Sequence, residues 1–138
     1  MAGYSGTPLP KKLGIKEGAA VALLQAPADF AATLGELPAD VVVASRLRKH
    51  HDVIVTFVSE RARLEQTLPK LGDAIFPDGA VWIAWPKKAS KLPTDITENT
   101  VRDVCLPLGL VDVKVCAIDD TWSGLKLVWR TERRTARS

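Results

Sequence analysis

The sequence predicts an α/β protein built on an open, mostly parallel sheet that ends in a C-terminal antiparallel hairpin. Three observations predict it. Residues 52–86 (DVIVTFVSERARLEQTLPKLGDAIFPDGAVWIAWP) read as strand, helix, Pro-Asp-Gly turn and strand. Two strands joined through a helix need a right-handed crossover and therefore pair in parallel. Ala19–Gln25 (AAVALLQ) is a continuous apolar run, the pattern of a strand buried on both faces. Val111–Ile118 and Leu125–Arg130 are separated only by the turn-rich Asp119–Gly124, which makes them an antiparallel hairpin.

The elements follow in order. Residues 1–18 are rich in Gly, Pro and Lys and are expected to form an extended arm, anchored by Leu13 and Ile15. After the first strand, Pro27 suits a first helical position, and Phe30, Ala31, Leu34 and Leu37 recur at helical spacing, so a helix is expected over 27–37. Asp40–Ala44 (DVVVA) is the second strand and residues 45–51 (SRLRKHH) a polar connector. The third strand is Asp52–Val58, with Ser59 as N-cap of the next helix. Leu64, Leu68, Leu71 and Ile75 make the apolar face of that helix, and Pro69 is expected to kink or split it. Ala80–Trp85 is the fourth strand; the odd separation of Trp82 and Trp85 sends them to opposite faces. Asp95 and Glu98 have capping-box spacing ahead of Val101, Val104, Cys105 and Leu108, and Pro107 with Gly109 ends that helix. In the fifth strand Val111, Val113, Val115 and Ala117 alternate with polar residues and are expected to share one face.

Composition bounds the function. With 138 residues, 46% apolar and 25% charged, residues 1–138 suit one globular domain. No apolar run approaches the ~20 residues of a membrane span, and the N-terminus lacks a signal-peptide core. Cys105 and Cys116 lack metal-type spacing and read as reduced core thiols of a cytoplasmic protein, a mutual disulfide being the alternative. The net charge of +3 equals that of the last nine residues, where four arginines oppose Glu132. The folded body is thus near neutral, and nucleic-acid binding is expected only through a flexible basic tail at 131–138. His50 and His51 point apart and have no third partner nearby, so no metal is expected. No nucleophile elbow and no P-loop occur, and no catalytic residue is identified.

The strand, helix, turn and strand of residues 52–86, followed by the hairpin, resemble the middle and end of Rossmann-like class I methyltransferases. That resemblance implies the strand order 2-1-3-4-6-5, with one helix–strand–helix block missing before residue 52. The whole chain also resembles a family of short bacterial proteins, number three thousand and fifty-two of the domain-of-unknown-function series. The stretches that carry this are Tyr4–Lys12 (YSGTPLPKK), Trp85–Ser90 (WPKKAS), Thr94–Arg102 (TDITENTVR) and Leu110–Leu125 (LVDVKVCAIDDTWSGL). Methyltransferases of this kind have a glycine-rich first turn and an acid after the second strand. Here the turn reads Leu24-Gln25-Ala26-Pro27-Ala28-Asp29-Phe30, and the second strand runs into Ala44-Ser45-Arg46. No cofactor is therefore expected.

In open α/β sheets, ligands bind outside the carboxyl ends of the strands. Lys87, Lys88 and Ser90 after the fourth strand, Asp95 before the next helix, and Trp122 with Ser123 at the hairpin should lie on that edge. Ammonium groups beside a helix N-terminus suit an anion, and an indole can close one side. The alternative is that the lysines solvate a loop and Trp122 covers the sheet. The expected function is a non-catalytic or regulatory module that holds an anionic small molecule or a protein partner. The second reading is a small divergent enzyme of methyltransferase type.

Overall fold

A computed structural model of the chain describes residues 7–136. The beginning of the expected arm and the last two residues of the basic tail lie outside the described residues. Six strands form one sheet: β1 (Ala20–Leu24), β2 (Val42–Ala44), β3 (Val53–Phe57), β4 (Ala80–Pro86), β5 (Leu110–Ala117) and β6 (Trp122–Trp129). Their order is β2-β1-β3-β4-β6-β5. Strands β1 to β4 pair in parallel. Strand β6 runs antiparallel between β4 and β5, with Trp85 opposite Ser123 and Pro86 opposite Trp122. The expected order and hairpin are both present.

The two faces of the sheet carry separate apolar layers because alternate residues of each strand point opposite ways. On one face Val21, Val53, Val55, Phe57 and Trp82 pack with Leu13, Phe30 and Leu34. Those last three come from two short helices, α1 (Leu9–Leu13) and α2 (Phe30–Leu34). On the other face Ile54, Val81, Ile83 and Trp85 pack beneath Leu64, Leu68, Leu71, Ile75 and Val101. These come from α3 (Arg61–Ile75) and α4 (Glu98–Cys105). Trp82 and Trp85 thus face opposite ways, as their spacing requires. Two indoles also tie helices to the sheet. Trp82 Nε1 donates to the Leu13 carbonyl at 3.0 Å, and Trp129 Nε1 donates to the Gly72 carbonyl at 2.8 Å.

Several local expectations are corrected. The arm is not wholly extended: Leu9–Leu13 forms α1, closed by Gly14 at φ 82. Helix α2 is shorter than expected because Pro27–Asp29 forms a turn, with Phe30 N donating to the Pro27 carbonyl. Helix α3 runs unbroken through Pro69, which sits on its exposed side where the ring meets solvent. Its N-cap position is Glu60 rather than Ser59. In α4 the capping box is Thr97 with Thr100, two residues later than the expected Asp95 and Glu98 pair. Val113 and Val115 are 54% and 52% exposed, since β5 is an outer strand and a bulge at Val113 shifts its register. The tail turns into a short helix, α5 (Arg133–Ala136), whose Arg134 Nε donates to the Trp129 carbonyl.

The connection from β2 to β3 positions the candidate site. A parallel crossover ordinarily uses a helix. Here residues 45–52 cross over β1 as an irregular strap. Leu47 packs on the α3 face. Near the end of the strap His51 is buried; its backbone N–H donates to the Ala74 carbonyl and its Nε2 accepts from Arg48 N at 3.0 Å. Gly79 lies against this turn so closely that a Cβ would sit 2.8 Å from the His51 carbonyl oxygen. Without a helix above β1, a trench opens between the strap and α3.

Candidate functional site

The hairpin and the loop after β4 meet as the sequence suggests. Lys87 N donates to the Thr121 carbonyl at 2.8 Å, which seats Lys87 beside Trp122 and Ser123. The polar groups there are largely engaged in local structure. Ser90 Oγ donates to the Lys87 carbonyl at 2.6 Å and accepts from Leu92 N, closing a short turn over Lys88–Ser90. Lys88 is exposed on that turn. Asp95 Oδ1 accepts from Arg61 N at 2.7 Å and so caps α3. The Trp122 ring packs edge-on against Phe57, centroids 5.1 Å apart, and covers the sheet. Lys87, Trp122 and Ser123 are brought together, then, while Asp95 is directed to the neighbouring helix.

A cavity of about 240 Å³ lies at the carboxyl ends of β1, β2 and β3, in the trench beside α3. Its apolar floor includes Leu24, Leu47, Val58 and Leu71. Its polar rim is Gln25, Ser45, Arg46, Thr56, Arg63, Thr67 and Lys70. The local sequence explains this arrangement. Arg63, Thr67 and Lys70 are spaced i, i+4 and i+7, so they form one stripe of α3 beside the buried leucines. Thr67 Oγ1 donates to the Arg63 carbonyl at 2.9 Å, leaving its lone pairs open to the cavity. Among the described residues the lining contains no Asp or Glu. A larger cavity, about 510 Å³, lies at the opposite edge among Gly14, Lys16, Asp52, Asp78 and Lys126. The smaller one occupies the strand-end position at which open α/β sheets take ligands.

The first βα turn differs from its sequence reading. It has no glycine, yet Gln25 adopts φ 57, the left-handed conformation that glycine normally supplies. The backbone therefore turns sharply at the end of β1 with an amide side chain at the cavity rim. Sequence inspection missed Gln25, Arg63, Thr67 and Lys70. The only available signal was the polar i, i+4, i+7 stripe flanking the apolar face of α3.

Several solved structures share this fold. One is an S-adenosylmethionine-dependent methyltransferase from Aquifex aeolicus, at 16% identity and a TM-score of 0.60, over 85% of each chain. Another is the ribosomal protein L11 methylase of Lactobacillus delbrueckii, at 13% identity and a TM-score of 0.61, over 88% of this chain and 75% of the other. A third is the magnesium protoporphyrin IX methyltransferase of Synechocystis with bound S-adenosylmethionine, at 9% identity and a TM-score of 0.56, over 88% and 74%. No family profile matches the chain. No curated protein matches it by sequence. Two expectations change. The preference for a non-catalytic module finds no support among these structures. The expectation of no cofactor is corrected: the structures of this fold include proteins holding S-adenosylmethionine or S-adenosylhomocysteine. At these identities the likeness establishes architecture, and the chain carries the Rossmann-like α/β sheet of S-adenosylmethionine-dependent methyltransferases.

Proposed function

We propose that the chain is a divergent, compact protein of methyltransferase type that binds an S-adenosyl ligand in the cavity at the carboxyl ends of β1, β2 and β3. The observation that carries this reading is the left-handed Gln25 turn at the mouth of that cavity. The turn gives the backbone the path that glycine gives elsewhere.

The residues present suit such a ligand in a particular way. Leu24, Leu47, Val58 and Leu71 offer an apolar bed for a planar base. Gln25, Ser45 and Thr56 offer an amide and hydroxyls to the ribose, in place of the usual acid. A guanidinium of Arg46 or Arg63 meets the amino-acid carboxylate. When bound, the methylated form of the ligand supplies an activated methyl group; this chain's own residues bind and orient it. Membership of the short bacterial family is part of the same proposal, on the stretches Trp85–Ser90 and Leu110–Leu125. So is a reducing compartment, which the free thiols of Cys105 and Cys116 support.

Calorimetry of the whole chain with S-adenosylmethionine and S-adenosylhomocysteine tests the reading. Binding that weakens in Gln25→Ala and Ser45→Ala supports it. Absence of binding by both compounds, in a folded protein, contradicts it.

A further inference from the structure

Three positive charges line the β1–β3 cavity without a carboxylate to balance them. The other arginines of α3 and α4 are paired. Arg61 Nε lies 3.0 Å from Glu65 and its Nη1 3.9 Å from Asp103. Arg102 bonds Glu98 and sits 2.9 Å from Asp112. Arg46, Arg63 and Lys70 have no ion pair among the described residues, and no Asp or Glu shares their cavity. They also come from two separate elements, the strap after β2 and the α3 stripe, which converge only because a helix is absent over β1. One amino-acid carboxylate would leave two of these charges unmatched.

We infer that this cavity recognises a phosphate monoester on a nucleoside-sized molecule, through Arg46, Arg63 and Lys70 around the phosphate and the Leu24, Leu47, Val58 and Leu71 floor beneath the ring. The inference rests on the reading of this cavity as the ligand site and places there a second guest that competes with the S-adenosyl ligand for the same cations and floor. A dianion matches convergent cations better than a carboxylate, and guanidinium groups bind phosphate oxygens bidentately. The half-apolar lining distinguishes the site from a patch that would hold free phosphate alone. The volume of about 240 Å³ lies just below the usual range for ligand pockets, which fits a mononucleotide fragment better than a dinucleotide.

The test is a thermal-shift and calorimetric comparison of AMP, adenosine, inorganic phosphate and S-adenosylhomocysteine on the whole chain. AMP should raise the melting temperature, and adenosine should do so far less. AMP affinity should fall on going from low to high salt, because the cations sit at an open rim. Arg63→Gln and Lys70→Gln should each fold normally and weaken AMP by about tenfold or more. Equal response to AMP and adenosine, no response to AMP, or AMP binding unchanged in both variants would overturn the inference. So would binding of a single-stranded oligonucleotide without binding of AMP. S-adenosylhomocysteine binding without AMP binding leaves the proposed function standing and removes this inference; the converse removes the former and keeps the latter.

Discussion

Asp95 caps a helix that begins 34 residues before it: its Oδ1 accepts from the backbone N–H of Arg61, the first residue of α3, at 2.7 Å. Beside it, Thr94 Oγ1 donates to the Ser59 carbonyl at 2.7 Å. The loop after β4 is thereby stitched to the loop after β3, and the start of α3 is fixed relative to β4. Helix α3 supplies the cationic stripe of the candidate site, so this stitch sets where that stripe lies.

Replacing Asp95 with alanine should therefore act on stability. Loss of a side-chain cap costs about 0.5–2 kcal/mol. Chemical denaturation should show a lower midpoint for Asp95→Ala, with much of the loss recovered in Asp95→Asn or Asp95→Ser. An unchanged midpoint in Asp95→Ala would show that water caps α3 equally well.

The Gln25 turn predicts an asymmetric response. An L-residue in the left-handed region carries a cost of roughly 1–2 kcal/mol, which glycine removes while adding about 0.5–1 kcal/mol of chain entropy. Gln25→Gly should be neutral or slightly stabilising, whereas Gln25→Val should be clearly destabilising because a β-branched residue resists φ 57. Equilibrium unfolding of the two variants checks the order; a less stable glycine variant contradicts it.

His51 should make the fold sensitive to mild acid. Burial, and then the positive charges of His50 and Arg48, hold its imidazole below the ordinary value of 6.5. Its Nε2 accepts from Arg48 N, which the neutral ring alone can do. The unfolded chain takes up a proton near pH 6.5 and the folded chain does so only at lower pH. Stability from this group is complete above about pH 7.5 and is lost as pH falls below 6.5, with a slope of at most about 1.4 kcal/mol per pH unit. Unfolding measured from pH 8 to 5 should show the decline, and His51→Gln should flatten it. An equal slope in the variant would assign the decline to other groups.

Cys105 is fully buried and its thiol is pushed up to about 11 by that burial. The thiolate is the reactive form, so Cys105 should resist alkylation at pH 8 in the native state. Cys116 is half-buried with its thiol also raised by burial, and should react slowly. Mass spectrometry after timed iodoacetamide treatment should find Cys116 modified first, and Cys105 only once denaturant is added. Rapid native labelling of Cys105 would contradict the packing described for α4.

The strands were legible because their apolar runs are long and their turns carry Pro, Asp and Gly. The sheet order was legible through resemblance, since period-2 patterning fixes faces and leaves neighbours open. Caps were less legible: Asp95 serves a helix distant in sequence, and Thr97–Thr100 supplies the local box through two threonines. The bulge in β5 was not legible, because the apolar–polar alternation continues through Val113 without a break. The cavity was hidden for a related reason. Arg46 and the Arg63–Lys70 stripe converge only when the strap replaces a helix over β1, and Gln25 takes a glycine conformation with no glycine to mark it.

The most direct test of the account is an amide-resolved NMR titration of the whole chain with S-adenosylhomocysteine. The account predicts shifts concentrated at Gln25, Ser45, Arg46, Leu47 and the Arg63–Leu71 stretch of α3, with Gly14, Lys16 and Gly79 at the opposite edge unmoved. Shifts confined to that opposite edge, or to Lys87, Trp122 and Ser123, would contradict it, as would a spectrum that does not change.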